Sequence, residues 1–352
     1  MKAMVLCAGL GTRLRPLTNV WPKPAMPLLG GPLFRYSLAT LRRAGITEVG
    51  INTHHLPEVM ERVARAEISL SHGERVGVRG ELFVSREAGE IQGTGGGIRG
   101  LKEFLRDDDF VVLNGDVLFS VDLKPVIDAH RASGAAATML LLPMPEGEKY
   151  NAVELDATSH VKRIAGKGPG GEKLSNWHFT GVHVMTPAVF DFMSASGPED
   201  INRDVYVRMM EKGLTINGHV LREERAYWSD LGTPQRYAAT VKDVLFGQVP
   251  LAPFGDSGPL SGAEKGAGNF WMHPTATLDA DVKVAGPAYF GAECVLEVGV
   301  RIGSAVSIGR GAKVGAGARL NRVSVLDGAE VAAGAQLSDV LVGPGGLSAS
   351  SV

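Results

Sequence analysis

Lys2-Ala3-Met4-Val5-Leu6-Cys7-Ala8-Gly9-Leu10-Gly11-Thr12-Arg13-Leu14-Arg15-Pro16-Leu17-Thr18 holds two patterns back to back. Lys2 to Cys7 is a short apolar run of the kind buried as a strand. Gly9 and Gly11 follow at once. Two glycines let the backbone approach a ligand closely, and successive N–H groups there can form a concavity for an anion. Arg13 and Arg15 add positive charge. In an open α/β sheet, ligands sit beyond the carboxyl ends of the strands, and this loop stands at such an end.

Working outward, the same alternation continues for about the first 245 residues. Phe34 to Ala44 reads as a helix with Leu38, Leu41 and Ala44 on one face and Gly45 ending it. Glu48 to Asn52 reads as a strand, Pro57 to Ala66 as a helix with Pro at its start, and Glu81 to Ser85 as a strand. Gly97 to Leu105 reads as a helix, and Phe110 to Leu113 as a strand ending in Asn114-Gly115-Asp116. Strand–helix alternation predicts a mostly parallel sheet covered on both faces. Gly9, Asn52 and Asp116 all fall at strand ends.

Between Gly247 and Gly268 the composition shifts to Gly, Pro, Ser and Ala, which reads as a linker. Beyond it the period changes. Leu278, Val284, Phe290, Leu296, Ile302, Ile308, Val314 and Leu320 recur every six positions. Neither a helix nor a hairpin has that period; a hexapeptide β-helix does, each corner turning one aliphatic side chain inward. After Leu320 the register slips, and Val331 and Leu337 resume it. The predicted division is an α/β domain over 1–246, a linker over 247–269, a β-helix over 270–346 and a tail over 347–352. So short a solenoid needs capping, by the main domain or by a second subunit.

Bulk properties exclude several classes. With 44% hydrophobic residues a packed core can form. The net charge is −2 with mixed signs and no basic block, so no nucleic-acid partner is expected. The apolar run Met4 to Leu10 is too short to span a bilayer, and no other segment approaches about 20 apolar residues. Cys7 and Cys294 sit far apart inside apolar runs, which fits buried hydrophobes in a reducing cytoplasm.

The chemistry-bearing residues narrow the field. Position 14 is Leu where a dinucleotide fingerprint needs its third Gly, and no Gly-Lys-Ser/Thr completes a P-loop. On its glycines alone, the first loop fits a plain turn with surface arginines as well as a phosphate cradle. Pro22-Lys23-Pro24 tips the balance, because the prolines restrict the backbone around one lysine and present it. Asp116 reads as a turn aspartate or a metal ligand, and Asp230 as a helix N-cap or a metal ligand. His54 and His55 lack ligand partners at metal spacing and read as a polar loop.

The run Gly-Leu-Gly-Thr-Arg-Leu-Arg-Pro-Leu-Thr followed by Pro22-Lys23-Pro24 resembles the signature of the sugar-1-phosphate nucleotidyltransferase family. The resemblance covers about residues 1–245 and extends to the tail, since several members carry a C-terminal hexapeptide β-helix. It implies an α/β fold, a Rossmann-like, mostly parallel sheet followed by a short left-handed parallel β-helix. It implies that Ala8, Gly9, Gly11, Thr12 and Arg13 cradle the triphosphate, that Lys23 meets the α-phosphate, and that Glu87, Gly93 and Thr94 belong to the stretch, Glu87 to Gly97, that reads the base. Arg13, Lys23 and Asp116 are the implied catalytic residues. Asp116 and Asp230, in Trp228-Ser229-Asp230-Leu231-Gly232-Thr233-Pro234, are the implied Mg²⁺ ligands. Asn151, Lys167 and Thr180 are the implied sugar-phosphate contacts. Here the chain departs from the pattern: Asn151 stands where Gly is frequent, Gly166 where a sugar-contacting Glu is usual, and Phe179-Thr180-Gly181 where Asn-Ala-Gly is frequent.

The expected activity is condensation of a sugar 1-phosphate with a nucleoside triphosphate, giving a nucleotide sugar and pyrophosphate. Gln92-Gly93-Thr94 resembles the Leu-Gly-Thr of GDP-mannose-forming members, and with the β-helix that resemblance implies GTP and mannose 1-phosphate. Thr94 with its three following glycines, and the altered sugar pocket, resemble instead the uridylyltransferases that act on N-acetylmuramate 1-phosphate; uridylyl or thymidylyl transfer on that or a glucose-type sugar is the alternative. An inactive regulatory subunit of the same fold would be marked by loss of Asp116 or Asp230, and both are present. A cytoplasmic homo-oligomer, joined through the β-helix, is expected.

Overall fold

The computed structural model describes residues 1–70, 81–147, 150–221, 226–266 and 268–352. Its contacts fall into two compact units. The first comprises Met1–Gly9, Thr40–Gly115 and Val121–Trp228; the second comprises Leu10–Ala39, Asp116–Ser120 and Ser229–Val352. The second unit therefore joins the tail to the loop carrying Arg13 and Lys23 and to both Asp116 and Asp230.

The first unit is built on one sheet. Phe110–Asn114, Lys2–Leu6, Val49–Thr53 and Leu82–Arg86 lie side by side and parallel, with Met4 opposite both Val112 and Gly50. Ser175–Met185 then pairs antiparallel with Phe110–Asn114 and with Ala137–Leu142. Val153–Leu155 and Val161–Ile164 extend the antiparallel part, while Ile216–Val220 runs parallel to Ala137–Leu142. The sheet is thus mixed. Its parallel half matches the strand–helix reading; its antiparallel half lies after residue 115. The Pro57–Leu70 helix buries Met60, Ala64 and Ile68 at four-residue spacing.

The helix expected from Gly97 to Leu105 begins earlier, as Gly93–Arg99, and Lys102–Leu105 forms a separate piece. Glycine is a poor helix former. Here packing decides: Gly95, Gly96 and Gly97 are buried, and the Glu199 carbonyl accepts the amide of Gly95 at 2.8 Å.

In the second unit the six-residue period is a parallel β solenoid. Residues one coil apart stack in register, as in Phe270–Ala288, Ala288–Val306 and Leu278–Leu296. Side chains clip successive coils together. Asp281 accepts the amide of Gly299, 18 residues on, whereas Asn321 accepts that of Ser304, 17 residues back. That one-residue shortening is the register slip after Leu320. Both ends are closed by antiparallel strands: Glu264–Lys265 on Phe270–Met272, and Ser348–Ser350 on Val340–Val342.

One flank of the solenoid packs against the rest of its unit. Tyr237, on the Pro234–Leu245 helix, is buried and its hydroxyl donates to the Pro27 carbonyl. Tyr237, Pro27 and Leu29 line a small cavity with Tyr289, Val325 and Asp327 of the solenoid. Gly343 lies against Leu17, and the Gln235 amide reaches the Val352 carbonyl at 3.1 Å. Among the described residues no helix is long and apolar enough to cross a membrane.

Candidate active site

In the second unit, Gly11 has φ +60, and a Cβ there would lie 2.8 Å from Cγ2 of Thr18. The Thr18 hydroxyl donates back to the Gly11 carbonyl at 2.9 Å. This tight turn is where the sequence must have glycine. It opens the short Thr12–Leu14 turn, which buries Leu14 and leaves Thr12 and Arg13 exposed. Arg13 runs back over Gly232: a Cβ at 232 would lie 2.6 Å from its Nη2.

Lys23 lies between its two prolines. It sits in the Lys23–Ala25 turn and is only 5% exposed. Its ammonium is 2.7 Å from Asp116 Oδ2, while the Asp116 side chain stays 41% exposed. The Asp116 carbonyl accepts the amide of Leu231 at 3.3 Å, so the segment carrying Asp230 runs directly beside Asp116. Asp230 in turn holds the Arg236 guanidinium. Thr233 is the cap of the following helix, accepting the Arg236 amide at 3.3 Å, so the capping alternative for Asp230 falls away. Arg13, Lys23, Asp116 and Asp230 are thereby gathered over more than one hundred residues of sequence.

Carboxylates on adjoining segments repel unless cations stand between or beside them. Here each carries one protein cation. No group of three or more His, Cys, Asp or Glu able to hold a metal occurs among the described residues. A pair of carboxylates is a donor set that suits Mg²⁺, a hard cation that takes one or two carboxylates and fills its shell with phosphate oxygens and water. Arg236 was not anticipated from the sequence. Its place in the first turn after Thr233-Pro234 was the available signal.

The first unit carries the other candidates. Ala8 is buried and Gly9 exposed at the end of the Lys2–Leu6 strand. Glu87 is 9% exposed and its carboxylate is fully engaged: Oε1 accepts Asn52 Nδ2 at 2.7 Å, and Oε2 accepts the Gln92 amide at 2.8 Å. Gly93 opens the Gly93–Arg99 helix, and the Thr94 hydroxyl accepts the amide of Ile201 at 2.9 Å. Glu87 thereby holds the residue that immediately precedes Gly93 and Thr94.

The sugar-side candidates are held by other contacts. Asn151 is exposed ahead of Val153–Leu155. Lys167 is exposed in a turn closed by Ile164, with its ammonium 3.9 Å from Asp204. The Ala165 amide donates to the Ala152 carbonyl at 2.9 Å, which keeps the two segments adjacent. Thr180 is buried, and its hydroxyl donates to the Leu140 carbonyl at 2.8 Å. The register of Ser175–Met185 shifts there, between Phe179 and His183. The Thr180 carbonyl accepts Trp228 Nε1 at 2.8 Å. Trp228 closes an aromatic cluster with His178 and Tyr150, ring centres 4.3 Å apart along each edge to His178. The sequence offered no sign of this cluster beyond Trp228 adjoining a motif.

Residues 2–245 match the family model described as Nucleotidyl transferase. The chain is 30% identical over 328 residues to a UTP–glucose-1-phosphate uridylyltransferase of Synechocystis sp., covering 90% of this chain and 81% of that one. It is also 30% identical over 328 residues to a mannose-1-phosphate guanylyltransferase of Mycobacterium tuberculosis, covering 92% of this chain and 79% of that one. Among solved structures, HddC from Yersinia pseudotuberculosis shares the fold, with a TM-score of 0.52 and 21% identity over 68% of this chain and 96% of that one.

Proposed function

The chain belongs to the nucleotidyl transferase family, and we propose that it condenses GTP with mannose 1-phosphate, releasing pyrophosphate and GDP-mannose. The observation that carries the reaction type is the cluster of Arg13, Lys23, Asp116 and Asp230, tied at its centre by the Leu231–Asp116 backbone bond. A sugar-phosphate oxygen attacks the α-phosphorus and the pyrophosphate oxygen leaves in line. Such a displacement needs positioning and charge neutralisation rather than a protein nucleophile.

Each residue has a definite task in this reading. The backbone of Ala8, Gly9, Gly11 and Thr12, with Arg13, receives the triphosphate. Lys23 neutralises the α-phosphate and is kept in place by Asp116. Asn151, Lys167 and Thr180 belong to the side that receives the sugar phosphate, Lys167 by charge and Thr180 by shaping the strand. Asp116 and Asp230 would hold Mg²⁺, which when bound neutralises charge on the phosphates.

The choice of GTP rests on Gln92-Gly93-Thr94, on the solenoid tail and on the guanylyltransferases among its relatives. The uridylyltransferase relative, equally similar, supports UTP with glucose 1-phosphate as the second reading. We place the enzyme in the cytoplasm, which suits its two buried cysteines. We also read it as a homo-oligomer through the solenoid. One flank is taken by its own unit, so self-association uses the remaining faces. Light scattering should give a mass above the monomer's; a monomer at every concentration overturns that part.

A matrix of nucleoside triphosphates against sugar 1-phosphates, scored by pyrophosphate release, tests the substrates. GTP with mannose 1-phosphate should be fastest. UTP or dTTP preferred by roughly tenfold, about 1.4 kcal/mol, overturns the base assignment. No release with any pair overturns the activity.

A further inference from the structure

Asn52 joins two segments far apart in sequence. Its Oδ1 accepts the amide of Cys7 at 2.8 Å, and its Nδ2 donates to Glu87 Oε1 at 2.7 Å. Glu87 Oε2 then accepts the Gln92 amide at 2.8 Å. The relay runs from the end of the first strand, where the glycine loop begins, to the turn at Gln92. Asn52 is 2% exposed and Glu87 9%. The orientation is forced: a backbone N–H can only donate, so Asn52 must face Cys7 with its oxygen and Glu87 with its nitrogen.

The relay also touches the far end of the same stretch. A Cβ on Gly97 would lie 2.5 Å from Asn52 Nδ2 and 3.1 Å from Glu87 Oε1. The stretch from Glu87 to Gly97 is therefore clamped at Gln92 by a hydrogen bond and at Gly97 by contact. The Glu87 carbonyl is held as well, by His54 Nδ1 at 3.1 Å. Both carboxylate oxygens of Glu87 are spent on the protein itself.

We propose that Asn52 is a positioning residue for nucleotide selection: through Glu87 it fixes the turn that meets the base and locks that turn to the strand end bearing the phosphate loop. Glu87 on this account shapes the turn from behind. The inference rests on residues 87–97 reading the base, so its test separates the two claims.

The relay permits a polarity swap. Asn52→Asp alone sets two carboxylates against each other. Glu87→Gln alone sets two N–H donors against each other, and flipping either amide only moves the clash to Cys7 or Gln92. The Asn52→Asp, Glu87→Gln double variant satisfies every bond again: the position-52 carboxylate accepts from Cys7 and from the new amide, whose oxygen accepts from Gln92. An unmade buried hydrogen bond costs enough to change an equilibrium roughly tenfold or more. Each single variant should raise KM for the nucleoside triphosphate by about that factor and blunt the preference between purine and pyrimidine. KM for the sugar 1-phosphate, measured at saturating nucleotide, should stay within about twofold. The double variant should restore both the nucleotide KM and the base preference. A purely structural role would lower melting temperature and move both KM values together.

Folded single variants with unchanged nucleotide KM and preference overturn the proposal, as does a folded double variant without rescue. Should a single variant fail to fold, the double variant still decides. Gln92→Ala, which keeps the backbone N–H, tests the base-reading role alone. If it leaves base preference untouched, that role and the selectivity claim both fall. If it shifts preference while the relay variants do not, only the relay claim falls.

Discussion

Arg236 sets its guanidinium on the carboxylate of Asp230, six residues earlier, across the loop that precedes its own helix. The pair is partly buried, with side chains 29% and 20% exposed. A divalent cation reaching Asp230 has to share that carboxylate or displace the arginine. Arg236→Gln should therefore bind Mn²⁺ more tightly without nucleotide, by roughly threefold to fivefold, as suits the modest worth of a partly exposed pair. Titration calorimetry reads this directly. Equal or weaker binding would show that Arg236 does not compete for the site.

Asp116 and Asp230 serve one cluster, which makes their losses non-additive. Asp116→Asn and Asp230→Asn should each lower kcat by on the order of 10²–10³ while the protein stays folded. The double variant should fall far short of the product of the two losses. EDTA should silence the wild type and Mg²⁺ restore it. Near-normal turnover by either folded single variant removes that residue from the site.

Gly181 lies at φ +89, and a Cβ there would come within 2.7–3.0 Å of the Asn114 side chain. Asn114 is two residues before Asp116. Gly181→Ala should cost about 2 kcal/mol or more from backbone strain and overpacking. Thermal unfolding should show the loss, and kcat should fall with it. A fully stable, fully active variant would mean the strand relaxes there at no cost.

His183 is fully buried, shares a hydrogen bond of 2.9 Å between its Nδ1 and the Tyr206 hydroxyl, and is pushed down from its usual value near 6.5 to about 3 by burial. The folded state favours the neutral ring, so its contribution is present above pH 6.5 and is lost as pH falls toward 3. Each pH unit below 6.5 should cost about 1.4 kcal/mol from this group. Urea unfolding at about pH 7 and pH 5 should show that slope, and His183→Asn should flatten it. Asn can still hydrogen-bond the Tyr206 hydroxyl but does not titrate. Parallel slopes in the two proteins would exclude the assignment.

Much of the fold follows from local pattern. The strand at residues 2–6, the helices near 33 and 57 and the solenoid all carry periodicities that a reader can count. The antiparallel half of the sheet was not visible, because strand direction is set by which edges meet. The helix over Gly93–Arg99 was misplaced for a related reason: its glycines are there to admit Asn52, Glu87 and Glu199, and only the packed neighbours reveal that.

By itself, the sequence determined the pieces whose cause is local: the glycine turn at Gly11, the lysine pinned between Pro22 and Pro24, the six-residue period and the one-residue slip after Leu320. Tertiary structure alone decided which charges answer one another. Lys23 on Asp116, Arg13 over Gly232 and Asn52 between Cys7 and Glu87 all depend on distances that chain separation does not encode. Hydrogen bonds and ion pairs act over a few ångströms in space, so their partners exist only once the fold has brought remote segments together.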